Sequence, residues 1–292
     1  MTYGACFGDA AGAPYEYTGC TINQLNDLTD SNYLYTDDSV LTCVVAKSLV
    51  ESNYPHEHPN EDDDVRFRKI LLRNTIVEGI KRPDAGWGSR FNQWLHTVNH
   101  LPYNSYGNGS AMRVSPVSWW MNNEDDVIHA AMQTAMITHN HIEGIRGAQA
   151  VALAVYYARN DVSKSEIRTK LDTLFNGSDG NYAYDLHRSC ADIISSGYHF
   201  EVSCQKSVPE ALCAFLDDSS VDYVSTLKNT MLLCGDVDTQ SAMTGAIAEA
   251  AYGMPASLEA NERERLDKAG LLSFMKLFES ECEAYRNRKR VK

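Results

Sequence analysis

Gly4-Ala5-Cys6-Phe7-Gly8-Asp9-Ala10-Ala11-Gly12 sets three glycines at four-residue intervals. On a helix that spacing makes a flat stripe without side chains, against which a second helix can pack very closely. Each interior glycine costs about 1 kcal/mol of helix propensity relative to alanine, so three of them call for a tertiary reason. The Ala-rich run 242–251 near the other end of the chain is the natural partner. Pro14 closes the first helix. Between these two segments helical periodicity dominates. Val40–Glu51, Asp64–Ile80, Asp126–Ile137, Ile142–Arg159, Lys164–Phe175, Tyr182–Ser196, Ser207–Leu216, Ser220–Cys234, Thr239–Tyr252 and Arg263–Arg286 carry apolar residues at i, i+3 and i+4. Alternating strand patterns bounded by hairpin turns are nearly absent. The expected fold is all-α, a single domain over residues 1–292.

The bulk properties narrow the function. The 292 residues, 43% of them apolar, suffice for a sizeable core. A net charge of -13 leaves no basic face for nucleic acid. No apolar run reaches the ~18 residues of a membrane span. The eight cysteines are scattered without a Cys-x-x-Cys pair and mostly sit in apolar or helical patterns. They read as buried free thiols in a reducing compartment. The opening residues resemble structure rather than a leader peptide. A soluble, cytoplasmic monomer is the expectation.

Two segments carry the strongest chemical signal. Thr36-Asp37-Asp38-Ser39 leads into the helix from Val40, and Gly235-Asp236-Val237-Asp238-Thr239 leads into the Ala-rich helix. Asp, Ser and Thr are ordinary N-caps, and acids suit the helix dipole there. One cap needs one side chain, however, and each segment offers two carboxylates. Should the segments meet, four carboxylates could not all stay ionised without a cation. Donors that are all oxygen suit hard ions such as Mg²⁺, Mn²⁺ or Ca²⁺. A third segment, Asn104-Ser105-Tyr106-Gly107-Asn108-Gly109-Ser110-Ala111-Met112-Arg113, contains a Gly-Asn-Gly whose backbone is expected to turn through positive φ and aim amides at a phosphate. Glu16 follows Pro14 and Tyr15 as an isolated carboxylate.

In this order and spacing, Gly8–Glu16, Thr36–Ser39, Gly107–Arg113, Thr138-His139 and Gly235–Thr239 resemble the motifs of the ADP-ribosylglycohydrolase family. The resemblance runs from about Gly4 to Gly253. It implies a cleft between helices holding two Mg²⁺, or Mn²⁺, on Thr36, Asp37, Asp38, Asp236, Asp238 and Thr239, with Asp238 bridging. It implies that Ser105, Tyr106, Gly107, Asn108, Gly109 and Met112 hold ADP-ribose, and that His139 positions the distal ribose. It further implies that the ions orient that ribose through its 2″ and 3″ hydroxyls. Glu16, Asp37 and Asp238 are then the catalytic acids, with Glu16 or a metal-bound Asp activating a water. The implied activity is release of ADP-ribose from a modified protein, with arginine as the default acceptor and serine as the alternative. Two departures from the family pattern are Cys234, where glycine is common, and Ser39, where threonine is common and a hydroxyl is expected to cap the helix.

Other readings are weaker. An Mg²⁺-diphosphate synthase or phosphohydrolase would need clustered Lys or Arg beside its acids, and these motifs have none. A silent relative, a structural protein or an ADP-ribose reader, would be expected to have lost a carboxylate, and none is missing. His96 and His100 share a helix face without a third zinc ligand. His56 and His58 fall in an acidic loop and are expected at the surface. Trp119-Trp120 belong to the core or a helix junction, and the basic tail Arg286–Lys292 to a frayed end.

Overall fold

The computed structural model describes residues 3–21, 25, 28, 34–176 and 183–290. The described residues form fourteen α-helices and two short 3-10 turns. The only β pairing among described residues is an isolated antiparallel bridge between Gly107 and Ser203. The fold is all-α, and none of its helices is long and apolar enough to cross a membrane.

The pairing expected from the glycine stripe forms. Helix α1 (Tyr3–Gly12) buries all ten of its residues, and its main partner is α12 (Val237–Tyr252). A Cβ at Gly4 would stand 2.5 Å from the Gly245 carbonyl oxygen, one at Gly8 2.0 Å from that of Ser241, and one at Gly12 2.6 Å from the Asp238 Cα. Backbones this close exclude any side chain between them. The Gly4 amide donates to the Glu249 carboxylate at 3.1 Å, and the Tyr223 hydroxyl to the Gly4 carbonyl at 2.9 Å, locking the register.

Around this pair stand α2 (Asp37–Glu51) against α1, α7 (Ile142–Arg159) and α10 (Cys204–Leu216) against α12, and α3 (Glu61–Lys81) on the far side of α2. Helix α12 is buried continuously from Val237 to Glu249, which explains its small-residue composition: it has neighbours on every side. A chain of buried apolar residues runs through all of these elements as the core.

The periodic segments form helices with shifted ends, and several expectations are corrected. The Arg263–Arg286 segment is two helices, α13 (Ala256–Lys268) and α14 (Leu272–Arg290), broken at Gly270, whose φ of 69° no helix accommodates. Of Tyr182–Ser196, only α9 (Cys190–Ser195) is helical; residue 182 lies outside the described residues. Short α4 (Ser89–Leu95) and α5 (Ser115–Trp120) have too few turns to show a periodicity. His56 is not solvated: it stacks between Trp120 and Tyr285, with centroids at 4.0 and 3.9 Å. The basic tail stays helical to Arg290, and Lys289 pairs with Glu57 at 2.8 Å. Seven of the eight free cysteines are buried; Cys234 is exposed.

Candidate active site and metal centre

Three helices deliver the acids. Asp9 projects from α1, Asp37 and Asp38 from the first turn of α2, and Asp236 and Asp238 from the start of α12. The glycine stripe holds α1 on α12, so Asp9 and Asp238 meet, while α1 and α2 share a second contact. Carboxylate oxygens of Asp9, Asp38 and Asp238 all lie within 4.8 Å of one another, as do those of Glu16, Asp236 and Asp238. Asp238 belongs to both groups, the geometry expected of a bridging ligand.

The capping explanation of these acids fails on geometry. Thr36 and Asp236 occupy the N-cap positions of α2 and α12, yet neither side chain caps its helix. The Thr36 hydroxyl instead donates to Asp9 at 2.7 Å and lies 3.2 Å from Asp38 Oδ2, and the Thr239 hydroxyl donates to the same Asp38 oxygen at 3.4 Å. Ser39 does not cap either. Its hydroxyl and amide both turn to Asp9, the amide at 3.0 Å.

Asp9, quoted within the first motif but given no role from sequence, proves to be the organiser of the site. It is fully buried and accepts from the Thr36 amide at 2.9 Å, the Thr36 hydroxyl, and the Ser39 amide and hydroxyl. A charge on a buried glycine-helix face with no basic neighbour in sequence was the available signal.

The electrostatics are those of acids crowded together in a buried site. Burial, followed by the fields of neighbouring acids, pushes Asp37, Asp38 and Asp238 well above the usual carboxylate range. Glu16 is raised by burial and then by Asp236 and Asp9, against a lowering hydrogen bond from the Tyr17 hydroxyl. Asp38 Oδ1 is buried with no hydrogen-bond partner. An orphaned buried carboxylate oxygen beside four other acids and two threonine hydroxyls is the donor chemistry of a hard divalent cation, so these residues fit a metal.

Above the acids opens a cleft of ≈450 Å³. Glu16, Thr36, Asp37, Asp236, Asp238 and Thr239 line one end of it, and Ser105, Gly107, Asn108, Gly109, Met112 and His139 also line it. Asp38 lies beneath, buried. Tyr106 alone of the expected residues turns away: its half-exposed ring packs edge-on against His141, with centroids at 5.4 Å. The Asn108 amide donates to Asp236 at 2.7 Å, tying the Gly-Asn-Gly loop to the acids. The glycines of that loop do not take positive φ; the left-handed residue is Asn104, with φ 53° and its amide held by Asn140. Gly109 serves close approach instead: a Cβ there would lie 3.2 Å from His139 Nε2, a tight contact. His139 is buried, its Nδ1 2.7 Å from the Thr138 hydroxyl, and burial pushes its pKa well below the usual value, so the ring is neutral.

Cys234 takes φ 55°, a left-handed conformation that glycine would adopt without strain. Trp87, Arg90, Tyr103, Tyr17 and Phe200 complete the walls. None of these five carries a motif that sequence reasoning could have used.

A helical cleft floored by acids from separate helices, beside a Gly-Asn-Gly loop, defines a class of metal-fitted hydrolase. The ADP-ribosylglycohydrolase family model matches residues 1–287, and the chain belongs to that family. It is a hydrolase acting on ADP-ribosylated substrates. It is similar to ADP-ribosylhydrolase ARH3 of Mus musculus, 29% identical over 86% of this chain and 82% of the mouse protein. The Homo sapiens ARH3 is 27% identical over 78% of this chain and 73% of its own. A solved structure titled "ADP-ribosylglycohydrolase-related protein complex" has the same fold, with a TM-score of 0.67 and 19% identity over 95% of this chain and 96% of that one.

Proposed function

We propose that this chain, acting as one domain over residues 1–292, is a Mg²⁺-dependent hydrolase that cuts the bond between C1″ of ADP-ribose and a modified arginine side chain. The observation that carries the reading is the meeting of Asp9, Asp38, Asp236, Asp238 and Glu16 under one cleft, with Asp38 Oδ1 unpaired. Thr36, Asp37, Asp38, Asp236, Asp238 and Thr239 would hold two Mg²⁺, for which Mn²⁺ could substitute. Bound there, the ions would supply coordination that fixes the distal ribose through its hydroxyls.

The protein's own groups do the rest. Glu16 takes a proton from a water as its oxygen bonds to C1″, and the C1″–N bond to arginine breaks. The leaving nitrogen receives a proton, which Glu16 can return. Burial raises the Glu16 pKa above the ordinary carboxylate value, the direction that suits a proton acceptor. Ser105, Gly107, Asn108, Gly109 and Met112 hold the ADP-ribose body, and neutral His139 hydrogen-bonds the ribose without adding charge.

Arginine as acceptor is supported by the Tyr17–Phe200 ring pair, with centroids at 5.5 Å, beside Glu16: aromatic faces next to a carboxylate suit a planar cation. The test incubates the protein with arginine- and serine-ADP-ribosylated peptides, with Mg²⁺ or excess EDTA, and follows free ADP-ribose by mass spectrometry. Metal-dependent release from the arginine peptide, absent in Asp238→Ala, is expected. Release from the serine peptide alone overturns the acceptor, and release unaffected by EDTA overturns the metal.

A further inference from the structure

We infer that Arg90 is the residue that recognises the substrate's diphosphate, a specificity determinant outside every motif of the chain. The inference rests on the hydrolase reading above, because it assumes a substrate spanning the cleft.

The argument starts from charge. Among the described residues lining the cleft, four are acids (Glu16, Asp37, Asp236, Asp238) and two are cations, Arg90 and Arg113. Arg113 is 1% exposed, and its guanidinium is turned into the protein, donating to the Thr134 carbonyl and the Thr138 hydroxyl, both at 3.0 Å. Arg90 is therefore the cation of this lining that solvent, and a ligand, can reach. A diphosphate carries about two negative charges, and in a protein of net charge -13 a reachable cation in the cleft lining favours its approach.

Position agrees with charge. Arg90 stands in the first turn of α4, where its guanidinium donates to the Tyr103 carbonyl at 2.8 Å and lies 5.0 Å from the centre of the Tyr103 ring. Those two contacts fix the plane of the fork while the guanidinium retains other N–H groups to offer. Tyr103 in turn lies beside His139, with centroids at 6.1 Å, and His139 Nε2 abuts Gly107 and Gly109. Burial, then the Arg113 charge and then that of Arg90, depress the His139 pKa, so Arg90 is felt at this end of the cleft. Arg90 thus sits near the loop whose amides and Ser105 hydroxyl are the neutral donors for phosphate. A planar guanidinium fork adds a bidentate, charged contact that neutral donors lack, and lysine would supply only a point charge.

The experiment measures binding by calorimetry with Mg²⁺ present, using ADP-ribose, ADP and adenosine as ligands, for wild type, Arg90→Ala and Arg90→Lys. Thermal melts verify that each variant is folded, which the exposed position of Arg90 favours. Loss of a charged hydrogen-bonded contact is expected to weaken ADP-ribose and ADP by about 10–100-fold in Arg90→Ala, with adenosine unchanged. Arg90→Lys recovers part of the loss, and the salt dependence of ADP-ribose binding flattens in Arg90→Ala. In turnover, KM rises while kcat changes little, because Arg90 is not among the groups that move a proton at the reacting bond. If wild type binds ADP-ribose and folded Arg90→Ala binds it equally well, the inference is overturned and the hydrolase reading stands. If wild type binds neither ADP-ribose nor ADP, both fall together.

Discussion

Gly8→Ala is the substitution that tests the architecture most directly. In an exposed helix interior the change stabilises by about 1 kcal/mol, through propensity alone. Here the added Cβ would sit 2.0 Å from the Ser241 carbonyl oxygen and 2.5 Å from its carbon, both backbone atoms of α12. Restoring an ordinary contact of 3.4 Å requires the two helices to part by about 1.4 Å. Overpacking of this kind costs ~1–3 kcal/mol, and rigid backbone on both sides places this case at the upper end. The steric term outweighs propensity, for a net loss of about 2 kcal/mol. With an unfolding entropy near 2.1 cal/mol/K per residue, that is roughly 3 °C in Tm for a chain this size. Activity should suffer more than stability. Asp9 is the next residue, its carboxylate shares the acid cluster with Asp238 of α12, and a shift of about 1.4 Å of α1 against α12 pulls the two apart. Misplacing reacting groups by about 1 Å costs on the order of 100-fold in rate. Gly79→Ala is the matched control. Its Cβ would meet Leu95 Cδ atoms at 2.8 and 2.9 Å, but these end a side chain that can rotate away. Calorimetric melts and peptide turnover of both variants decide the matter: a Gly8→Ala protein as stable and active as Gly79→Ala would refute the claim that backbone contact between α1 and α12 sets the site.

Two further outcomes are expected. Glu262, fully buried under α1, has its pKa raised to about 8 by burial, with Arg265 opposing and Asp9 adding to the rise. Because the unfolded carboxyl ionises near its ordinary value while the native one holds its proton to about 8, this group removes stability as pH climbs through that window. Tm measured from pH 5 to 8 should therefore fall less steeply in Glu262→Gln than in wild type, and parallel curves would count against it. Mg²⁺ at a hundredfold excess over its dissociation constant should stabilise the native state by about 2.7 kcal/mol, a rise of roughly 4 °C in Tm; Asp38→Asn should abolish most of that rise, and an equal rise in both proteins would mean the ion binds elsewhere.

What the sequence revealed depended on whether a residue's role is local. Gly4, Gly8 and Gly12 announce a close helix pair because spacing alone makes the stripe, and Ala242–Ala251 answers it by composition. The acids of Thr36–Ser39 and Gly235–Thr239 were legible because each pair exceeds what one cap requires. Asp9 was harder: its worth comes from Thr36 and Ser39, 27 and 30 residues away, and from lying opposite Asp238. The break at Gly270 was masked because apolar spacing continues across it on both sides. The role of glycine in the Gly-Asn-Gly loop was misjudged because proximity to His139, a contact across 30 residues, leaves no local trace. Arg90 and the Tyr17–Phe200 pair carry no pattern at all; only the closing of the cleft brings them to one place.

The contact between α1 and α12 also fixes when the site can exist. The Gly4 amide waits for a carboxylate 245 residues downstream. At a synthesis rate of about 5–20 residues per second, the first helix spends on the order of 10–50 s without its partner as the chain is made. Through that interval Asp9 has no Asp238 to face, and the acid cluster cannot assemble on any nascent chain that stops short of α12. Two helices far apart in the chain must both be present before the cleft can have its floor, so termination ahead of α12 yields an inert protein rather than a partly active one.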